Sequence, residues 1–190
     1  PTFEWSSGGN LIGTGSVIDL STTTLAPEAE VFCTASVVDA MGAQATDSTS
    51  IIIENRAPRV DSISIIPSAV YTDDTITAIA TFSDDDGIQT ITGTYTWHVI
   101  DYATGIDTEV QSGTDNTLDG TPFFGKDDEV YVIVTPNDGL DDGIESTSTS
   151  TTILNTPPSI AIIELLPDPA IEGQDDLICS ISTPSTDDDG

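Results

Sequence analysis

Two kinds of residue in this chain could do chemistry: clustered carboxylates and a pair of cysteines. Asp84-Asp85-Asp86-Gly87 and Asn137-Asp138-Gly139-Leu140-Asp141-Asp142 each crowd acids into a short stretch containing glycine. Thr186-Asp187-Asp188-Asp189-Gly190 repeats the first cluster near the end of the chain. Carboxylate, amide and carbonyl oxygens are what calcium takes, roughly six to eight at a time. Glycine permits the sharp turns that point several of them inward. The spacing is not that of an EF-hand loop, because Asp84 to Asp86 are consecutive and no Glu follows at the required distance. Asp, Asn and Gly also build turns for local reasons, so solvated turns are the competing reading. Paired carboxylates can hydrolyse glycosides, but these lie in repeated turns. No G-x-S-x-G elbow and no phosphate-cradling loop occurs. The single histidine, His98, neighbours Trp97 and takes the opposite side of an alternating strand, as a surface residue does. No catalytic residue is assigned, and an enzyme is not expected.

The elements that must position these residues occur twice. Asn55-Arg56-Ala57-Pro58 returns 100 residues later as Asn155-Thr156-Pro157-Pro158. An apolar run ending in Pro67 follows the first copy, and one ending in Pro167 follows the second. Ser48 to Ile53 and Ser148 to Ile153 precede them. A fixed period with matching flanks means tandem repeats. The first piece, residues 1–55, reads as the back half of a repeat, with strands at Phe3 to Trp5, Val17 to Leu20, Val31 to Val38 and Thr49 to Ile53. Residues 56–155 read as a whole repeat, and residues 156–190 as a front half. Val130 to Thr135 matches Val31 to Ser36, Trp97 matches Trp5, and Ile178-Cys179-Ser180 is aligned with Ile76-Thr77-Ala78. About seven short alternating strands per repeat, separated by turn signals, predict a β-sandwich. The front and back halves together would complete a second sandwich with the next copy.

Composition narrows the function. Of 190 residues, 37% are hydrophobic, enough for thin β cores and too many for a disordered chain. The formal charge is −30, and only Arg56, Arg59 and Lys126 are positive. Nucleic acid would be repelled. The carboxylates must be solvated, screened by salt or neutralised by divalent cations. No apolar run reaches the length of a membrane span. The chain opens at Pro1 without a signal peptide, and its limits read as those of a mature fragment or one unit of a longer polymer.

The pattern N-x-x-P, apolar strand, D-D-D-G, aromatic-x-W and V-x-V-T-P-N-D-G resembles the tandem immunoglobulin-like repeats of large microbial surface proteins, themselves similar to PKD and cadherin-like modules. The resemblance covers essentially the whole chain and implies extracellular stalks, adhesins or filaments, often with calcium between modules. Val37-Val38-Asp39-Ala40 departs from the pattern where the whole repeat has Pro136-Asn137-Asp138-Gly139.

In such a sandwich, strands B and F face each other across the core, and a disulfide between them packs on a Trp of strand C. That implies Cys33 on F and Cys179 on B, with Trp5 as the Trp. The two cysteines lie in opposite incomplete halves, so the expected bond joins Cys179 of one unit to Cys33 of the next; buried free thiols are the alternative. The fold also brings the B–C and F–G loops to the end where the linker arrives. Asn55, Asp84, Asp85, Asp86, Asn137, Asp138, Asp141 and Asp142 are therefore the expected calcium ligands of one junction. Asn155, Asp187, Asp188 and Asp189, completed by Asp39 of the next unit, form a poorer second set. Ser146, Thr147, Ser148, Thr149, Ser150, Thr151 and Thr152 form a strand-favouring run that could carry O-linked sugar. The expected function is structural: a head-to-tail repeat unit of an extracellular filament or cell-surface stalk, stiffened by calcium and a disulfide. The alternative is an adhesin module that binds glycan or protein through its acidic end loops.

Overall fold

The computed structural model describes residues 1–86, 90–187 and 189, so the expectations placed on Gly87, Asp188 and Gly190 lie outside the described residues. Val, Ile and Thr dominate the alternating segments, and branched side chains of this kind fit a pleated surface better than a helix. The described residues accordingly form strands, with one short 3-10 turn at Leu20–Thr22. Two compact units result. One comprises Pro1–Asp61, Phe82–Thr92 and Pro136–Ile144; the other comprises Ser62–Thr81, Gly93–Thr135 and Glu145–Gly190.

The first unit is built on one four-stranded antiparallel sheet. Its strands are β1 (Thr2–Ser7), β2 (Asn10–Thr14), β3 (Glu30–Val38) and β4 (Gln44–Ile52), in the order β2-β1-β3-β4. Cross-strand pairing puts Phe3 opposite Ala35, Trp5 opposite Cys33, and Val31 opposite Ile51. Paired residues share a face. One face therefore carries Phe3, Trp5, Val31, Cys33, Ala35, Val37 and Ile51, with Ser7, Asp47 and Thr49 among them. The other carries Glu4, Thr34, Ser36, Ser48 and Ser50.

The whole repeat contributes β5 (Arg59–Ile66), β6 (Val70–Tyr71), β7 (Thr75–Ser83), β8 (Thr92–Ile100), β9 (Asp107–Gly113), β10 (Thr117–Asp119), β11 (Glu129–Asn137), β12 (Ser146–Thr147) and β13 (Thr151–Leu154). They make two sheets, β10-β7-β5 and β6-β13-β11-β8-β9, with β12 also on β11. Every second residue of β7, β8 and β11 turns to a core of Ile76, Ala78, Tyr95, Trp97, Val99, Val130, Val132 and Val134, joined by Leu118 of β10. The front half forms a two-stranded hairpin, β14 (Ile162–Leu166) with β15 (Ile178–Thr183), exposed along its whole length.

The structure corrects three details of the sequence reading. First, Asp107–Gly113, in a stretch that reads from the sequence as a turn (Asp101 to Gly113), is a strand, and so is Asn10–Thr14, of which only Asn10 falls in a sequence-read turn (Ser6 to Asn10) and the rest carries no assignment; both are edge strands that lack the alternation marking a half-buried strand. Second, Val17 to Leu20 is not a strand, because the sheet that would pair with it is missing from the first unit. Third, the hairpin register shifts the B-strand alignment by one residue. Leu165 pairs with Cys179 and Ile163 with Ile181, so Cys179 lies on the apolar face. The turn ahead agrees: Asp74 accepts a hydrogen bond from the backbone of Tyr71, and Asp175 accepts one from Ile171. Asp175 thus matches Asp74, and Cys179 matches the buried Ala78 rather than Thr77.

Candidate functional site

The acidic junction of the first unit is held by its own cations. Ahead of β5, the backbone N–H of Arg56 donates to Asp86 Oδ2 at 2.7 Å, and its Nε donates to Asp86 Oδ1 at 2.8 Å. Arg59 reaches Asp85 at 3.0 Å. The Asn55 side-chain amide donates to Asp138 Oδ2 and Asp141 Oδ2, both at 2.9 Å. Asp138 is buried, and its other oxygen accepts from the backbone of Leu140 and Asp141. These backbone N–H donors, Asp141's first, hold the Asp138 carboxyl below its ordinary value, and the Arg56 backbone does the same for Asp86. Asn137 and Asp142 bond each other at 2.8 Å. The expected junction residues therefore come together, with Asn55 turning its amide nitrogen toward Asp138 and Asp141. One acceptor is left over: Asp84 Oδ2 is buried without a hydrogen-bond partner, while Asp84 Oδ1 takes the Asp86 N–H. Among the described residues, no three His, Cys, Asp or Glu side chains converge as a metal group. Donors beyond that set, such as the Asn55 carbonyl, would be needed.

The second linker, in the other unit, repeats the backbone contact but not the cation. Thr156, in the place of Arg56, donates its N–H to Asp189 Oδ2, and Asp189 Oδ1 is buried and unpartnered. Asp187 accepts from the Asp189 N–H, and the Asn155 side chain bonds the Thr156 carbonyl. Asp39 lies in the first unit, where its carboxylate caps its own turn by accepting from Met41 and Ala43. Within the Ser/Thr run, Thr147, Thr149, Ser150 and Thr152 are exposed, and Ser146 and Thr151 are half-buried. The Ser148 hydroxyl is engaged by the Val132 N–H.

The second candidate is the apolar face of the sheet β2-β1-β3-β4. Its strand order is that of β9-β8-β11-β13, and Trp5 and Cys33 occupy the places of Trp97 and Val132. Trp97 and Val132 are 0% exposed, whereas Trp5 and Cys33 remain partly exposed. The hairpin shows the converse face: Ile163, Leu165 and Ile181 are 67%, 55% and 65% exposed, beside an exposed Cys179. Both cysteines are free thiols. Sequence reasoning missed one polar cluster on the outer side of the β9-β8-β11 sheet. There Tyr131 donates to Asp107 at 2.6 Å, His98 lies 3.0 Å from the same carboxylate, and the two rings stack at 4.9 Å.

A three-stranded sheet packed on a larger one around a Trp of the third main strand is an immunoglobulin-like β-sandwich. The chain carries one such sandwich whole, with a four-stranded antiparallel sheet ahead of it and a two-stranded hairpin after it. Among solved structures it is similar to the crystal structure of domains A168-A170 from titin, at 13% identity and a TM-score of 0.37. That match covers 80% of this chain and 54% of the titin fragment, so the chain spans about half the fragment's length. No protein-family model and no curated protein sequence matches.

Proposed function

We propose that this chain is the repeating structural unit of an extracellular filament or surface stalk, akin to the PKD and cadherin-like repeats of large microbial surface proteins. Hairpin β14-β15 of one copy closes the open sheet β2-β1-β3-β4 of the next. The observation that carries this reading is the complementary pair of half-exposed apolar faces, each in the strand order of the intact sandwich. Burying a large aliphatic side chain stabilises by roughly 1.5–3 kcal/mol. Ile163, Leu165 and Ile181, already partly covered, would contribute about 3–6 kcal/mol together. Trp5, Phe3 and Val37 add to that, but association costs about 4–15 kcal/mol. The two sides nearly balance, so a covalent tie decides whether the joint holds.

Cys179 and Cys33 supply that tie. In an oxidising compartment, exchange with a small-molecule disulfide joins the two sulfurs and releases two reduced thiols. Non-reducing gels of purified chain, run beside electron micrographs, test both parts. A ladder of linked multimers that collapses on reduction and in Cys33→Ser is expected, together with end-to-end fibres. Discrete monomers without a ladder, or a bond formed within one chain, would refute it.

Calcium is the second element of the reading. The unpartnered Asp84 Oδ2 supports a cation at the junction, with Asp86, Asp138, Asp141 and a rotated Asn55 amide as the other oxygens. It would neutralise crowded carboxylates and fix the linker. Millimolar calcium should raise the melting temperature, chelator should reverse this, and Asp84→Asn should abolish it; identical melts in calcium and chelator remove the metal. The binding-module alternative draws on a cleft of about 590 Å³ lined by Leu20, Thr24, Leu25, Ile53, Arg56 and Asp86. Saturable binding of a glycan by isolated monomers would favour it. Hexose mass increments on the native chain would establish sugars on the exposed threonines.

A further inference from the structure

Resting on the proposed joint, we infer that Val17–Asp19 is an unpaired strand that zips onto the start of β15 and the two residues ahead of it, in the second copy, in one fixed register. The intact sandwich supplies the template. There β10 pairs with β7 as Thr117↔Thr77, Leu118↔Ile76 and Asp119↔Thr75. Asn116 clamps the same edge, its side chain donating to the Ala78 carbonyl at 2.9 Å and its own carbonyl accepting the Ala78 N–H at 2.8 Å.

Residues 17–19 copy β10 in everything but pairing. Asp19 Oδ1 accepts from the Ser21 N–H, as Asp119 Oδ1 does from Thr121. Ile18 matches the fully buried Leu118 and already lies against Gly13, beside Trp5 on the apolar face: a Cβ built on Gly13 would meet Ile18 Cδ1 at 3.1 Å. Yet residues 17–19 make no strand pairing, and Val17 is 78% exposed. Its side chain is in place while its backbone waits for an edge. Backbone N–H and C=O groups buried by a docking sheet must find partners, and the exposed edge of β15 presents matching ones.

The corrected alignment fixes the register: Val17 opposite Ile178, Ile18 opposite Leu177, and Asp19 opposite Asp176. Ile18 and Leu177 then exchange both backbone hydrogen bonds, and the Cys179 N–H donates to the Ser16 carbonyl. Val17 and Ile178 become a non-hydrogen-bonded pair, whose close Cα atoms suit a cross-strand disulfide. A slip of one residue would pair Ile18 with Ile178, on the hairpin face opposite Cys179. With Ile18 held against Gly13, the third strand thus favours the register in which the thiols share the buried face.

Engineered cross-linking tests this in the full chain with Cys33→Ser and Cys179→Ser in place. Adding Val17→Cys with Ile178→Cys should give a disulfide ladder under mild oxidant, while Val17→Cys with Ser180→Cys should give at least tenfold less. Hydrogen exchange should show the Ile18 amide slowing at least tenfold on assembly. Size-exclusion chromatography of the same samples separates the two failures. If the chains assemble but Ile178 and Ser180 cross-link equally, or Ile18 stays unprotected, the register is wrong while the joint stands. If no variant assembles and the unmodified chain does not either, the joint falls and the register falls with it.

Discussion

At the scale of single residues, the cluster that sequence reading left unremarked makes a sharp prediction. Tyr131 donates to Asp107, and that carboxylate accepts from the phenol only while the proton stays on. The hydrogen bond to Asp107, aided by burial and by the carboxylate's charge, pushes Tyr131 up to about 12. Because the folded value exceeds the ordinary 10.0, the bond stabilises the fold fully below pH 10 and that contribution fades as pH rises toward 12. Ultraviolet titration of the four tyrosines should show Tyr131 ionising late, with Tyr95 also raised by burial. Asp107→Asn should return the Tyr131 step toward 10 and leave Tyr95 where it is. A wild-type titration with every tyrosine ionising near 10 would contradict the contact. The outward direction of His98 was readable from its place beside Trp97. Its partners were not, because Asp107 sits in an edge strand whose polar sequence carries no period.

Elements were legible in proportion to how much apolar surface they bury on one side. β3, β7, β8 and β11 alternate and were readable as strands, whereas the edges β2 and β9 carry no such alternation and were not. The slip in aligning β15 has the same root: with a period of two, a shift of one exchanges the faces, and both Ile178 and Cys179 sit in an apolar stretch. Only pairing with β14 separates them. The acidic loops meet at the linker, where Arg56 and Arg59, noted in the sequence only as exceptions to the charge, hold Asp86 and Asp85, and Asn55 holds Asp138 and Asp141. The close approach of the linker makes its own demand. A Cβ on Gly143 would lie 1.8 Å from the Pro58 carbonyl oxygen and 2.8 Å from the Pro136 ring. Gly143→Ala must push backbone aside, at a cost of about 1–3 kcal/mol, which lowers the melting temperature by several degrees. Gly125→Ala, whose nearest neighbour is 3.7 Å away, is the control and should melt within a degree or two of wild type. Equal melts for the two variants would mean that the linker does not hold this contact in solution.

For the whole molecule, charge opposes the very contact that the apolar faces favour. Residues 1–55 and 156–190, the two pieces joined in the proposed assembly, contain no Lys or Arg, while the first carries Glu4, Asp19, Glu28, Glu30 and Asp39 and the second Glu164, Asp168, Glu172, Asp175 and Asp176. Like-signed surfaces slow encounter and leave the short-range apolar contact unchanged once made. Screening shortens the reach of that repulsion from roughly 20 Å at about 20 mM salt to about 4 Å at about 500 mM. Joining of copies, followed by light scattering, should therefore accelerate at least tenfold over that range, equally in sodium and potassium chloride, while dissociation after dilution changes little. Calcium at matched ionic strength should accelerate it further if the Asp84 site fills, and should lose that excess in Asp84→Asn. A joint that formed more slowly as salt rose would mean opposite charges meet there, which the sequences of the two pieces do not contain.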